Sequence, residues 1–288
     1  MALRLAAAAT TRKKRTRKPV PWGIWIALII TGAISLWPLY WLFVTAVTPT
    51  LFTLKTPPDI LPFHFSLSNF QRLFHQAIYY WNWVGNSTIV ALSITIFHIF
   101  FDTLAGYSFA KKKFPGRTII FWVLIATMMV PTYVTMIPLY VVAHNLQILN
   151  TLWALILPGM ASVFGIFLMR QYIQTLPTEL LEAARIDGCN EWQVFWRVVL
   201  PLCKPAIGAL AIFTFVQHWN DFFWPLIALV NPATYTLTVG VAGLQGEFAT
   251  DYGIIFAGAA LAALPMIIFF FIFQRSFLEG VRMGALKG

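Results

Sequence analysis

Long apolar runs alternate with short polar stretches along most of the chain. Six runs stand out, at residues 22–47, 84–110, 118–143, 151–169, 206–230 and 254–273. Each is close to or above the roughly 20 residues that an α-helix needs to cross the hydrocarbon core of a bilayer. The pattern therefore predicts an all-α, polytopic membrane protein with six transmembrane helices. Prolines at 38, 131, 138, 158, 225 and 265 fall inside these runs and are expected to bend the spans.

Composition strengthens this reading. Of 288 residues 59% are hydrophobic and 10% charged, against about 25% charged in soluble domains. Ten acids and twenty bases cannot cover the surface of a soluble domain this long, so that surface faces lipid. All but two of the Lys and Arg fall in four segments: Arg4 to Lys18, Lys111 to Arg117, Arg170 to Lys204, and Arg275 to Lys287. Lys55 and Arg72 are left over. Cytoplasmic loops concentrate Lys and Arg, so both termini are expected to be cytoplasmic. The domain plan is a basic tail at 1–21, a membrane domain at 22–277 and a short C-terminal tail at 278–288.

The +10 net charge then reports topology, not nucleic-acid binding, and the basic run at 12–18 suits anionic lipid head groups. The apolar run after it is too long for a signal-peptide core and reads as a permanent first span. Cys189 and Cys203 lie in a segment assigned to the reducing side of the membrane, so neither a disulfide nor a metal is expected. On the other side, residues 48–83 form the longest connection, broken by prolines before a short amphipathic helix at 67–77. Tyr79, Tyr80, Trp81 and Trp83 look like an interfacial aromatic belt. The connections at 144–150 and 231–251 are short and leave no external domain that would capture a dilute solute.

Residues 171–205 are too polar to span yet patterned as two short helices. Pro177 suits a first turn, Glu179 and Glu182 favour the N-terminal half of a helix over 178–187, and Gly188 stands where a C-cap needs φ > 0. Asn190 with Gln193 is a capping-box pattern for a second helix over 191–199, ended at Leu200-Pro201. The result is helix, glycine turn and helix.

The run Glu182-Ala183-Ala184-Arg185-Ile186-Asp187-Gly188, with Phe195, Leu200-Pro201 and Pro205-Ala206, resembles the EAA loop of ABC importer permeases. Leu168-Met169-Arg170-Gln171, Trp219-Asn220-Asp221-Phe222, Trp224-Pro225 and the terminal Gly284 to Gly288 resemble the maltose-type, carbohydrate-uptake branch, in its second permease subunit. The likeness runs from about residue 107 to the end. It implies that Glu182, Ala183, Ala184, Arg185, Asp187 and Gly188 form a coupling element that docks on an ATPase subunit. It further implies a prokaryotic inner-membrane complex with a second homologous permease, an ATPase dimer and an extracytoplasmic solute-binding protein. ATP and Mg would sit on the ATPase and no cofactor on this chain. The sequence agrees in having no G-x-x-x-x-G-K-[ST] phosphate loop. The chain is thus expected to be no enzyme.

Ionisable groups inside spans are costly and tend to face a cavity or a partner. His98 and Asp102 share one helix face, and His218, Asn220 and Asp221 cluster. They read either as pore-lining groups or as interhelical hydrogen bonds. Trp219 and Trp224 either stack on a sugar ring or pack; with Asn220 and Asp221 they are the pore-lining candidates. Two other classes remain open, an ion-gradient-driven secondary transporter and a membrane scaffold without transport. Neither needs a coupling loop.

Overall fold

The computed structural model describes residues 21–49, 61, 63–247 and 251–285, with side chains as far as residue 274. The basic stretch at 4–18, Lys55 and the last three residues lie outside them. Two units are distinguished, one ending at Leu42 and one beginning at Phe43. Helix α1 (Trp22–Ala46) starts in the first, with Trp22, Ile29, Ile34 and Leu36 exposed.

The second unit contains α2 (Ser68–Gln76), α3 (Tyr80–Lys111), α4 (Arg117–Thr127), α5 (Thr132–Asn145), α6 (Trp153–Ile156) and α7 (Val163–Gln174). After these come α8 (Thr178–Ile186), α9 (Glu191–Leu202), α10 (Lys204–Trp219), α11 (Phe223–Ala228), α12 (Leu237–Glu247) and α13 (Tyr252–Ala285). No strand occurs among the described residues. Among the described residues, three helices are individually long and apolar enough to cross a membrane: Trp22–Ala46, Tyr80–Lys111 and Tyr252–Gln274. Two bent pairs, α4 with α5 at 101° and α9 with α10 at 79°, bring the number to five by length and composition.

Prolines account for much of the interruption. Pro131 caps α5 at the 101° break, and Pro158 falls in the gap between α6 and α7. Pro38, Pro138 and Pro265 lie inside helices. The apolar run at 151–169 is thus a one-turn helix, a break and α7 instead of one continuous rod. Ser162 restarts the helix there by accepting from the Gly165 amide at 2.9 Å. The run at 206–230 likewise breaks at residues 220–222.

Helix α3 is the central element and packs on α7 and α10. Small residues permit the approach: a Cβ on Gly106 would stand 2.7 Å from Met169 Cβ and 2.9 Å from the Arg170 amide nitrogen. A Cβ on Gly165 would overlap the Asp102 carboxylate. Such small-residue contacts replace the hydrophobic drive that is missing between helices in lipid. Buried polar groups tie the same helices. His98 Nε2 lies 2.6 Å from the Gly159 carbonyl oxygen and Nδ1 3.1 Å from Asp102 Oδ2, while the Ser162 amide donates to Asp102 Oδ1 at 3.0 Å. Thr214 Oγ1 adds a 3.3 Å contact from α10. Of the two readings of His98 and Asp102, the structure shows the interhelical one.

The polar connections are more structured than their composition suggests. Tyr80 and Trp83, placed by sequence in an aromatic belt, are buried; the Tyr80 hydroxyl donates to the Gly258 carbonyl and Trp83 Nε1 to that of Pro232. Only Tyr79 and Trp81 remain exposed. Residues 237–247, expected to be loop, form α12, whose Gly240 leaves room for the Trp83 ring. At the far end of the chain, the backbone of 278–285 continues α13.

Candidate functional site

The segment between α7 and α10 folds as a helix, a tight turn and a second helix. Pro177, read from sequence as suited to the start of a helix over 178–187, is the N-cap of α8, with a ψ of 130°. Leu181 and Ala184 point into a core with Tyr107, Met169, Ile173, Val194 and Phe195. The opposite face carries Glu179, Glu182, Ala183 and Ile186, all exposed, and Ile186 retains 86% of its surface. The two alanines therefore differ: Ala184 seats the helix on its own chain, and Ala183 alone presents a small surface outward.

The turn is a Schellman motif. The Gly188 amide donates to the Arg185 carbonyl and the Cys189 amide to that of Ala184, each at 3.0 Å, with Gly188 at φ +86°. Asp187 is the C-cap, exposed beside Gly188. The capping box forms as predicted, with the Gln193 amide donating to Asn190 Oδ1 at 2.9 Å and Gln193 Oε1 accepting from the Asn190 amide at 2.8 Å. The second helix does not end at Leu200-Pro201. A π turn at Phe195–Val199 widens it ahead of Pro201, and it continues to Leu202 before bending into α10. The wider turn relieves the clash between a proline ring and the preceding helical carbonyls.

Sequence reasoning missed the clamp that orients this turn. Glu191 is ion-paired with Lys112, accepts from the Tyr107 hydroxyl at 3.2 Å, and holds Arg185 Nε at 3.2 Å. Lys111 Nζ donates to the Leu176 carbonyl at 2.6 Å and contacts Thr178 Oγ1 at 3.2 Å. Lysines that sequence offers only as a topology signal thus fasten the end of α3 to both helices. The Lys112 hydrogen bond, working against partial burial, holds the Glu191 carboxyl below the ordinary carboxylate range. Partial burial works against the Arg185 charge, but Glu191 and the Tyr107 hydroxyl together hold its guanidinium above the usual value. Burial pushes the Cys203 thiol, in the same core, up to about 12.

The other candidates lie at the break between α10 and α11. Trp219 is buried and stacked on Phe215 with centroids 5.6 Å apart, and Trp224 is buried with Nε1 donating to the Ala154 carbonyl at 2.9 Å. Both rings pack within this chain. Asn220 is exposed and Asp221 half-buried; the Asp221 carbonyl accepts from Thr238 Oγ1 at 2.6 Å. On the side predicted to be external, Arg72 pairs with Asp251 and reaches Asn69 Oδ1 at 2.7 Å, while Asn69 Nδ2 donates to the Ala46 and Thr48 carbonyls. Nothing in the spacing of residues 179 positions apart announces that cluster. Among the described residues no group of His, Cys, Asp and Glu is arranged to hold a metal.

Comparison with known proteins places these features in context. Residues 102–283 match the family described as binding-protein-dependent transport system inner membrane component. The chain is 34% identical over 278 residues to the arabinooligosaccharides transport system permease protein AraQ of Halalkalibacterium halodurans, covering 96% of this chain and all of that protein. It is 33% identical over 261 residues to the sn-glycerol-3-phosphate transport system permease protein UgpE of Escherichia coli, covering 88% of this chain and 93% of that one. In fold it resembles a chain of a bacterial ABC transporter involved in the import of the acidic polysaccharide alginate. There the TM-score is 0.79 at 23% identity, over 89% of this chain and 96% of the other.

Proposed function

The chain belongs to the family of binding-protein-dependent transport system inner membrane components, and from that premise we propose how it works as a permease subunit of an ABC importer. It is a transport component and not an enzyme, the ATPase being a separate subunit. We infer six membrane crossings with both termini cytoplasmic, counting α6 with α7 and α10 with α11 as two broken spans. A second homologous permease completes the pathway, and an ATPase dimer and an extracytoplasmic binding protein flank it.

The observation that carries the coupling role is the division of α8 into two faces. Leu181 and Ala184 anchor it, while Glu179, Glu182, Ala183 and Ile186 are presented outward beside a rigid glycine turn. In this reading the ATPase grips the outward face. Closure of the ATPase dimer on ATP pulls α8, and the Lys112–Glu191–Arg185 clamp passes the displacement to α3, whose packing on α7 and α10 reaches the pathway. Asn220 and Asp221, at the α10–α11 break, line the pathway in this reading; Trp219 and Trp224 hold the break in place.

The named relatives act on arabinooligosaccharides and on glycerol-3-phosphate. We assign this importer a carbohydrate or polyol-derived solute. The test reconstitutes the complex in proteoliposomes with labelled candidates, ATP on the cytoplasmic face and ionophores that collapse every ion gradient. Uptake should survive the ionophores and stop without ATP or the binding protein; uptake that follows an ion gradient would make the chain a secondary transporter.

A further inference from the structure

A second feature lies at the same end of the molecule, outside the coupling turn. A cavity of about 160 Å³ opens between the end of α3, the start of α4 and the end of α7, lined by Phe109, Arg117, Phe121, Trp122, Phe167 and Arg170 among others. A shallower groove continues from Arg117 over Gly116 to Lys113.

The charge here is one-sided. The Arg170 guanidinium sits 3.8 Å from the centre of the Phe121 ring and its Nε faces the Phe109 carbonyl at 3.5 Å, while Arg117 Nη1 donates to the Lys112 carbonyl at 2.9 Å. The two guanidinium groups repel each other. Among the described residues neither has a carboxylate within ion-pair distance, and Glu191 is engaged by Lys112 and Arg185. Helix α4 starts at this cavity from Gly116 at φ +76°, with no side-chain cap on its first amides. Two cations with unused donors and an uncapped helix start call for an anion. The walls narrow the choice, because Trp122 is 64% and Ile119 71% exposed. A soluble anion gains nothing from those apolar surfaces, whereas a lipid sets its acyl chain along them.

We propose that this cavity binds the phosphodiester head group of an anionic phospholipid, with Arg117 and Arg170 as its donors and Ile119 and Trp122 along its acyl chain. Basic pockets between membrane helices on the cytoplasmic side take such head groups, and guanidinium forks suit phosphate oxygens. The site adjoins the coupling turn through Lys112, whose carbonyl holds Arg117 and whose ammonium holds Glu191. The proposal rests on the reading that this end of the spans meets the cytoplasmic leaflet.

Native mass spectrometry of the intact complex, titrated with phosphatidylglycerol or phosphatidylcholine, tests it. The wild type should retain phosphatidylglycerol selectively. Arg117→Gln with Arg170→Gln should weaken that retention roughly tenfold to thirtyfold, Arg117→Lys with Arg170→Lys should weaken it far less, and Arg197→Gln, outside the cavity, should leave it unchanged. Equal retention in wild type and double Gln variant would overturn the proposal, and so would displacement of the lipid by inorganic phosphate at millimolar concentration, which marks a free-anion site. If the double variant fails to assemble, Arg117→Gln alone carries the comparison. Labelling of Lys113→Cys from outside intact cells would refute the leaflet assignment without touching the lipid measurement.

Discussion

Gly188 tests the turn most sharply, because the structure separates backbone strain from steric bulk there. Its φ is +86°, and an added Cβ would meet nothing within 4 Å. Any penalty inside this chain is therefore conformational. An ordinary L residue in the left-handed region costs about 1–2 kcal/mol, Asn less, and a β-branched residue more. At about 1.4 kcal/mol per factor of ten, Gly188→Ala should raise the opening of the turn roughly tenfold, Gly188→Val by more, and Gly188→Asn by little. The Cys189 amide, bonded to the Ala184 carbonyl, reports opening directly through hydrogen exchange. ATP-dependent uptake by the reconstituted complex should fall in the same order. Equal exchange in the Asn and Val variants would refute the conformational argument. An uptake loss that follows side-chain size but not exchange would shift the cause to contact with the partner.

Gly106→Ala should destabilise the protein by about 1–3 kcal/mol, because backbone atoms of α7 cannot yield, while Gly208→Ala, whose Cβ meets open space, should be neutral or slightly stabilising; melting in detergent compares them. Iodoacetamide at neutral pH should modify half-buried Cys189 well before Cys203, and equal rates would contradict the packing of α9 on α3. The clamp should also be pH-dependent. Because the folded Glu191 pKa is depressed, its contribution is fully present above the ordinary Glu value of about 4.3 and lost as pH falls through the lower folded value. Intrinsic-rate-corrected exchange around residues 185–195 should hold its protection to about pH 5 and lose it at more acid pH, with Glu191→Gln flattening the profile; loss already near neutrality would contradict the ion pair.

Sequence made the turn legible because caps and glycine signals are local. The Asn190–Gln193 box, the Gly188 turn and the start and end of α8 within a residue or two all follow from side chains acting on nearby backbone. What escaped was whatever depends on distant partners. Lys112 and Glu191 are 79 positions apart, so charge counting assigned Lys112 to topology alone. Hydrophobicity finds the apolar blocks and the prolines mark where they bend, but neither shows that the runs at 151–169 and 206–230 part into separate helices at Pro158 and at residues 220–222, since a broken span has the same composition as a bent one. Tyr80 and Trp83 were misplaced for a similar reason: aromatics at a membrane boundary and aromatics buried under a folded connection look alike until α12 and α13 cover them.

Engagement of the outward face of α8 by a separate ATPase is open to a single cross-linking measurement. In a Cys189→Ser, Cys203→Ser background, Ile186→Cys places a thiol on the most exposed apolar position of that face, and Leu181→Cys places one on its buried side. With a short bifunctional thiol reagent on membranes holding the whole complex, position 186 should give an adduct with the ATPase whose yield changes with ATP, and position 181 should give none. A complex that transports and hydrolyses ATP yet gives no ATPase adduct from position 186 would contradict it.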